Sequence, residues 1–96
     1  MTHYIALIHK DADSCYGASF PDVPGVFTAG DTIDEVMQKA SEVLEFAAED
    51  WTKLTGRDWP PPRTIDQLRA DSKFQEAAAA AVIAAVPFRA KVEAAE

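Results

Sequence analysis

The first hydrophobic stretch of the chain shows no simple alternation of apolar and polar residues. Residues 4–9 form a predicted strand in which both sides carry apolar side chains: Tyr4, Ala6 and Ile8 on one side, Ile5 and Leu7 on the other. A strand of this kind is typical of a sheet that is covered on both faces. The pattern therefore predicts a buried first strand.

The next two segments predict an antiparallel arrangement. Residues 10–14 are charged and rich in turn formers, and residues 15–20 then alternate between larger apolar side chains and small ones. Two strands joined by so short a connection form a hairpin. After the Pro24-Gly25 turn, residues 26–29 are predicted to be a third short strand.

A long helix is predicted to begin after Thr32. Thr32 and Glu35 match the capping box, and Asp34 adds negative charge to the first turn. Apolar residues then recur at spacings of three and four, which indicates one face packed on a sheet. This stripe consists of Ile33, Val36, Met37, Ala40, Val43, Leu44, Ala47, Trp51 and Leu54. Gly56 is placed to end the helix in a left-handed cap.

The last third of the chain permits two interpretations. Short helices are predicted at residues 64–70 and 72–78, after the proline run at 60–62. The alanines at 77–81 favour a continuing helix. Val82, Ile83 and Val86 favour a strand over residues 82–88 instead.

Residues 20–35 contain the most informative motif, because two prolines and two glycines fix its backbone path locally. Its defining residues are Phe20, Pro21, Asp22, Pro24, Gly25, Thr28, Gly30, Asp31, Thr32 and Glu35. The order and spacing resemble the N-terminal domain of the HicB family of toxin-antitoxin antitoxins, over residues 4–65. The resemblance implies an α+β fold, similar to a degraded RNase H fold: an antiparallel sheet of three to four strands with one long helix packed on it. It also implies a returning strand after the proline-marked loop, which favours the strand at residues 82–88.

Charge and composition narrow the classes of partner. The 96 residues include 16 acidic and 9 basic side chains, for a net charge of −7. Such a surface repels nucleic acid and attracts basic proteins. Cys15 is the single cysteine, so an internal disulfide is excluded, and neither a signal sequence nor a long apolar span is present. These features predict a cytoplasmic location without membrane association.

Several residues are candidates for metal binding or catalysis. A two-metal nuclease would need converging carboxylates, for which the candidates are Asp11, Asp13, Asp22, Asp31, Asp34 and Glu35. Each has a simpler position in a turn or at a helix start. His3 and His9 are about 20 Å apart on one strand and cannot share a metal. Cys15 is expected to be a half-buried strand residue, and Trp59 is expected to pack on the core of the domain. No catalytic residue, metal or cofactor is therefore predicted.

Together these observations predict a non-catalytic binding protein. The resemblance implies an antitoxin that covers the active and RNA-binding surface of a small, basic, mRNA-cleaving HicA-like toxin. The predicted contact is the acidic side of the long helix: Glu42, Glu45, Glu49 and Asp50. An RNase H-like metal-dependent nuclease and a protein-interaction or regulatory domain without a toxin are the alternatives.

The expected organisation is a single domain over residues 1–88, followed by a short tail at 89–96. Eight residues are too few for the DNA-binding module that many members of the resembled family carry. The apolar residues on both sides of the first strand need cover that one helix does not supply. The sequence therefore predicts a homodimer or larger assembly, formed through the second sheet face or an open edge.

Overall fold

The computed structural model describes residues 2–10 and 15–88. The secondary structure elements are, in order, β1 (Thr2–Lys10), β2 (Tyr16–Ser19), β3 (Phe27–Gly30), α1 (Ile33–Thr55), α2 (Ile65–Arg69), α3 (Ser72–Ala78) and β4 (Val82–Phe88). They form one four-stranded antiparallel sheet with the long helix α1 packed on it. The α+β fold with a small antiparallel sheet is therefore confirmed. The hairpin turn at residues 11–14 and the tail at residues 89–96 lie outside the described residues.

The strands are arranged in the order β3-β2-β1-β4, so β1 and β2 are central and β3 and β4 form the two edges. Ile8 of β1 is opposite Ala18 of β2, and Tyr4 is opposite Val86 of β4. The first and last described strands are thus direct neighbours. This pairing confirms the returning strand at residues 82–88.

The helix α1 begins and ends as the sequence predicted. The Thr32 hydroxyl accepts a hydrogen bond from the backbone N–H of Glu35 at 3.0 Å. The Glu35 carboxylate accepts from the N–H of Asp31 at 2.8 Å, one residue before the N–H that completes a capping box. Gly56 adopts φ 72° and donates its N–H to the Thr52 carbonyl. Nearby residues therefore provide hydrogen-bond partners for backbone groups at both ends of the helix.

The apolar stripe of α1 packs on one face of the sheet, except at its first and last residues. Val36, Ala40 and Leu44 are completely buried against that face. Ile33 is 38% exposed, so its assignment to the packed stripe is wrong, and so is that of Leu54, which is 80% exposed. It lies almost one helical turn beyond Trp51, where the packed part of the helix ends.

The opposite face of the sheet is covered by the two short helices. Leu7 of β1 is buried with Leu68 of α2 and Phe74 of α3. The prediction that β1 is covered on both sides is therefore confirmed. Because α2 and α3 come from the same chain, the two-sided strand does not by itself require a second copy.

The alanine run is divided between a helix end and a turn. The helix α3 ends at Ala78, and β4 begins at Val82, where β-branched residues start. Intrinsic propensity favours a longer helix here, but Val86 and Phe88 become buried only when the segment pairs with β1. Tertiary packing thus decides the boundary.

Candidate protein-interaction surface

Asp22, near the start of the sequence motif, joins the loop after α1 to the turn that follows β2. Its carboxylate accepts hydrogen bonds from the backbone N–H of Arg63 at 2.8 Å and from the Arg63 Nε at 2.6 Å. The Arg63 Nη1 donates to Asp71 at 3.1 Å, and Asp71 in turn caps the start of α3. Asp22 is therefore engaged in a structural ion pair, and no local sequence signal could have identified Arg63 as its partner, 41 residues away.

Charge pairing shifts the pKa values in this network. Hydrogen bonds from the Arg63 guanidinium hold the pKa of Asp71 below its usual range, and the two carboxylates raise the pKa of Arg63. Asp71 and Arg63 are therefore charged at neutral pH. The network links β2, the loop after α1 and α3 through charge-assisted hydrogen bonds.

The remaining motif residues shape the backbone around the sheet edge. Val23 is completely buried in the turn, and Gly25 has φ 89°, a conformation that favours glycine. A Cβ added to Gly30 would lie 2.8 Å from the backbone nitrogen of Val36, so only glycine permits this close approach of β3 to α1. Phe20 is buried, while Pro21 and Thr28 are half-buried and Pro24 is exposed. The motif positions β3 and the start of α1.

An aromatic cluster packs near the C-terminal end of α1. The rings of Trp51, Tyr4 and Phe88 all lie within 6 Å of the Trp59 ring, centroid to centroid. The Tyr4 hydroxyl donates to the carbonyl of Pro60, and burial raises the pKa of this hydroxyl. Trp59 therefore packs on the core as predicted, and it anchors the proline-rich segment.

The outer side of α1 combines carboxylates with an exposed aromatic ring. Phe46 is 70% exposed. With 3.6 residues per turn, its neighbours on the helix surface include Glu42 one turn before it and Glu49 and Asp50 one turn after it. All three carboxylates are on exposed residues. We call Glu42, Phe46, Glu49 and Asp50 the acidic-aromatic surface.

All four predicted contact residues lie on the same side of α1, because Glu45 comes three residues after Glu42 and four residues before Glu49. Glu45 is half-buried and lies about 100° around the helix from Phe46. Phe46 is not among the predicted contact residues, because those residues were chosen by charge alone. A large aromatic residue outside the predicted apolar stripe was the signal that could have found it.

The other candidates for chemistry are scattered. His3 and His9 are exposed on β1, and Cys15 is exposed just before β2 rather than half-buried within a strand as expected. Across residues 2–10 and 15–88, no group of three or more potential ligands converges on a metal position. None of the helices in these ranges has the length and apolar character needed to cross a membrane.

The motif residues of this small α+β domain build its structure. An outer helix surface that combines acidic and aromatic side chains is typical of protein-binding domains. Comparison with protein families makes the assignment specific. The family model described as the HicB-like antitoxin of bacterial toxin-antitoxin systems matches residues 4–94. The chain therefore belongs to the HicB-like antitoxin family, as its motif predicted.

Solved structures agree with this assignment. The antitoxin HicB of Burkholderia pseudomallei is 31% identical with a TM-score of 0.69, and the alignment covers 91% of this chain and 63% of that one. The separate N-terminal domain of that antitoxin is 28% identical with a TM-score of 0.67, covering 90% of this chain and 96% of that one. A chain from a HicA3–HicB3 toxin-antitoxin complex has a TM-score of 0.66 at 24% identity, which supports the fold alone.

Two relatives with uncharacterised names are also similar. An uncharacterised 14.9 kDa protein of Haemophilus phage HP1 is 53% identical over 73 residues, which cover 76% of this chain and 53% of that protein. A UPF0150 protein of Synechocystis is 36% identical over 47 residues, covering 49% of this chain and 68% of that protein. This chain thus spans about half the length of its phage relative.

Proposed function

We propose that this protein is an antitoxin that binds and neutralises a small, basic, mRNA-cleaving toxin of the HicA type. Its membership of the HicB-like antitoxin family supports this role. The net charge of −7 also suits a basic partner. The protein acts by binding rather than by catalysis.

The acidic-aromatic surface of α1 is the observation that carries the proposal. An exposed aromatic ring beside carboxylates suits a partner that offers an apolar pocket surrounded by basic side chains. Phe46 supplies the buried contact after docking, and Glu42, Glu49 and Asp50 attract the partner and orient it. Neutralisation then follows from occupation of the toxin surface.

Occlusion and charge act together in this mechanism. A ribonuclease holds RNA chiefly through basic side chains that contact phosphates. An acidic helix docked on those basic side chains competes with the RNA phosphates for them. It also keeps the RNA backbone away from the active site of the toxin. Asp22, whose side chain is only 5% exposed, is held by Arg63 in a structural role.

The proposal is tested by co-expression with a small, basic protein of the HicA type. We expect growth rescue and co-purification, and Phe46→Ala should weaken the complex by about 30-fold, the effect of a typical hot-spot residue. Leu54→Ala is the matched control, because Leu54 is an equally exposed apolar residue on the same helix outside the acidic-aromatic surface. It should bind as the wild type does.

Three results would contradict the proposal. The first is failure of the wild-type chain to rescue growth or to bind the basic protein. The second is equal weakening by Phe46→Ala and Leu54→Ala, which would place the contact elsewhere. The third is metal-dependent RNA cleavage by the purified chain alone.

A further inference from the structure

A cavity of about 470 Å³ lies where the C-terminal end of α1 meets the turn after β2 and the proline-rich segment. Its volume is in the range of ligand-binding pockets. None of the residues of the acidic-aromatic surface lines it. The lining includes the apolar side chains of Trp51, Pro24 and Pro60 and the charged side chains of Arg57, Asp58 and Asp22.

Hydrogen bonds and ring packing hold the wall of this cavity in place. The Trp51 ring packs edge-on against Trp59, with 5.3 Å between the ring centroids, and its Nε1 donates to the carbonyl of Asp58 at 3.1 Å. The Thr55 hydroxyl donates to the carbonyl of Trp51 at 2.7 Å and accepts from the N–H of Arg57 at 3.1 Å. The wall is therefore ordered in the free protein, which lowers the entropy cost of binding a ligand.

The charges around the cavity favour a cation. Asp58 is exposed and has no ion-pair partner among residues 2–10 and 15–88. Asp22 adds little, because Arg63 neutralises its charge. The C-terminal end of α1 contributes the negative end of the helix dipole. The opposing charge belongs to Arg57, an exposed residue whose long side chain is free to turn towards solvent.

We propose that this cavity binds the guanidinium group of an arginine side chain presented by a protein partner. Tryptophan attracts cations more strongly than the other aromatic side chains do, and a guanidinium also stacks on aromatic rings. The Asp58 carboxylate accepts charge-assisted hydrogen bonds from the guanidinium. Pro24 and Pro60 contact the methylene groups of the arginine. A lysine ammonium binds less well, because it is more strongly hydrated.

This inference rests on the proposed function for the identity of the partner, since a basic toxin is the protein that would present the arginine. It adds a contact at the C-terminal end of α1, beyond the acidic-aromatic surface. A second charged contact on the same helix fixes the orientation of the partner. The cavity itself is testable without the toxin.

The first test is titration of the full chain with an acetylated and amidated Gly-Arg-Gly peptide, followed by NMR. We expect saturable shifts of the Arg57 and Asp58 amides and of the Trp51 indole N–H, with a dissociation constant on the order of 1 mM. The matched control ligand carries citrulline in place of arginine, which keeps the shape and removes the charge. It should bind at least about tenfold more weakly.

Variants of the two neighbouring charges should have opposite effects on binding of the arginine peptide. We expect Asp58→Asn to weaken binding by about fivefold and Arg57→Gln to strengthen it by about threefold. Asp66→Asn is the matched control, because Asp66 is an exposed carboxylate in the first turn of α2 and its replacement changes the net charge equally. It should bind the peptide as the wild type does, and circular dichroism checks that each variant folds.

Three results of the titration would overturn the proposal. The first is the absence of saturable shifts at the cavity. The second is a set of shifts centred on Glu42 and Glu49, which would show general attraction to the acidic helix. The third is equal weakening by Asp58→Asn and Asp66→Asn, which would show that only the net charge matters.

The toxin complex provides the second test. Asp58→Asn should weaken binding of the HicA-type toxin by about fivefold, as it does for the peptide. A toxin that binds the wild type and Asp58→Asn equally well would overturn this inference and leave the proposed function intact. Failure of the toxin to bind at all would contradict the proposed function, and the peptide titration would then decide the cavity separately.

Discussion

At the scale of single residues, the ion pair between Asp22 and Arg63 shows how the sequence motif acts. The Asp22 side chain is only 5% exposed, and Arg63 supplies two of its hydrogen bonds. The sequence placed Asp22 correctly in a turn but could not reveal its distant partner, because nothing in the local pattern around residue 63 indicates a contact with residue 22. Long-range polar pairs of this kind are visible only in the folded chain.

We expect Arg63→Met to destabilise the fold by about 1–3 kcal/mol, because Asp22 loses its charged partner while it stays shielded from water. The cost is below that of a deeply buried pair, since the Arg63 side chain is 38% exposed. Urea denaturation followed by circular dichroism measures the change. Arg57→Met is the matched control at an exposed position and should change stability by less than about 0.5 kcal/mol.

The effect of Arg63→Met on stability should depend on pH. Hydrogen bonding to Arg63 lowers the pKa of Asp71 in the folded state. The resulting stabilisation is fully present above the unfolded-state pKa of the carboxyl group and is lost as the pH falls through the lowered folded-state value. The stability difference between wild type and Arg63→Met should therefore narrow in acid. A difference that widens below pH 4 would contradict this role of Asp71.

At the scale of secondary structure elements, the junction of β3 and α1 depends on one glycine. Gly30 is buried, and any Cβ there would meet the backbone of Val36 in the first turn of the helix. The helix cap at Thr32 follows directly. The junction therefore fixes where the helix starts relative to the edge of the sheet.

Gly30→Ala should destabilise the protein by about 1–3 kcal/mol through overpacking against a backbone that cannot rotate away. Gly17→Ala is the matched control in the neighbouring strand, because its Cβ would meet its nearest neighbour at an ordinary 4.0 Å. Thermal unfolding of both variants provides the measurement. Equal loss in the two variants would show that a general effect of glycine replacement, and not this contact, is responsible.

Helices and strands were predictable from the sequence where capping residues and hydrophobic periodicity agree. They were less predictable where tertiary packing determines the boundary of an element. The capping residues Thr32 and Gly56 mark the ends of α1 in the sequence and in the structure. The exposure of Leu54 was not predictable, because periodicity does not reveal where the packed surface ends. The boundary between α3 and β4 needed the resemblance to a family, since helix propensity at the alanines opposes the strand.

At the scale of the whole molecule, charge is separated from the apolar edge. The carboxylates of the acidic-aromatic surface lie on the outer side of α1, and residues 82–86 of β4 are neutral. A basic toxin would therefore be attracted to α1 and not to this edge of the sheet. The sequence predicted the acidic helix but not the exposed aromatic ring within it, because the packing that leaves Phe46 outside the core is a property of the fold.

This separation predicts how salt acts on binding. Steering by exposed charges weakens as salt shortens the Debye length, so association with the basic toxin should slow by about tenfold between about 0.05 M and 0.5 M salt. Stopped-flow mixing measures the rate. Replacing Glu42, Glu49 and Asp50 by their amides should remove most of this dependence, whereas Glu45→Gln should retain it. An unchanged rate for the wild type would exclude electrostatic steering.

The pairing of Thr2 with Phe88 has a consequence for biosynthesis. The strand β1 cannot pair with β4 until β4 has left the ribosome. The core around Tyr4 and Val86 therefore stays incomplete while most of the described chain is being synthesised. The sheet is therefore completed only after β4 has left the ribosome, and each molecule becomes competent for binding only from that point on.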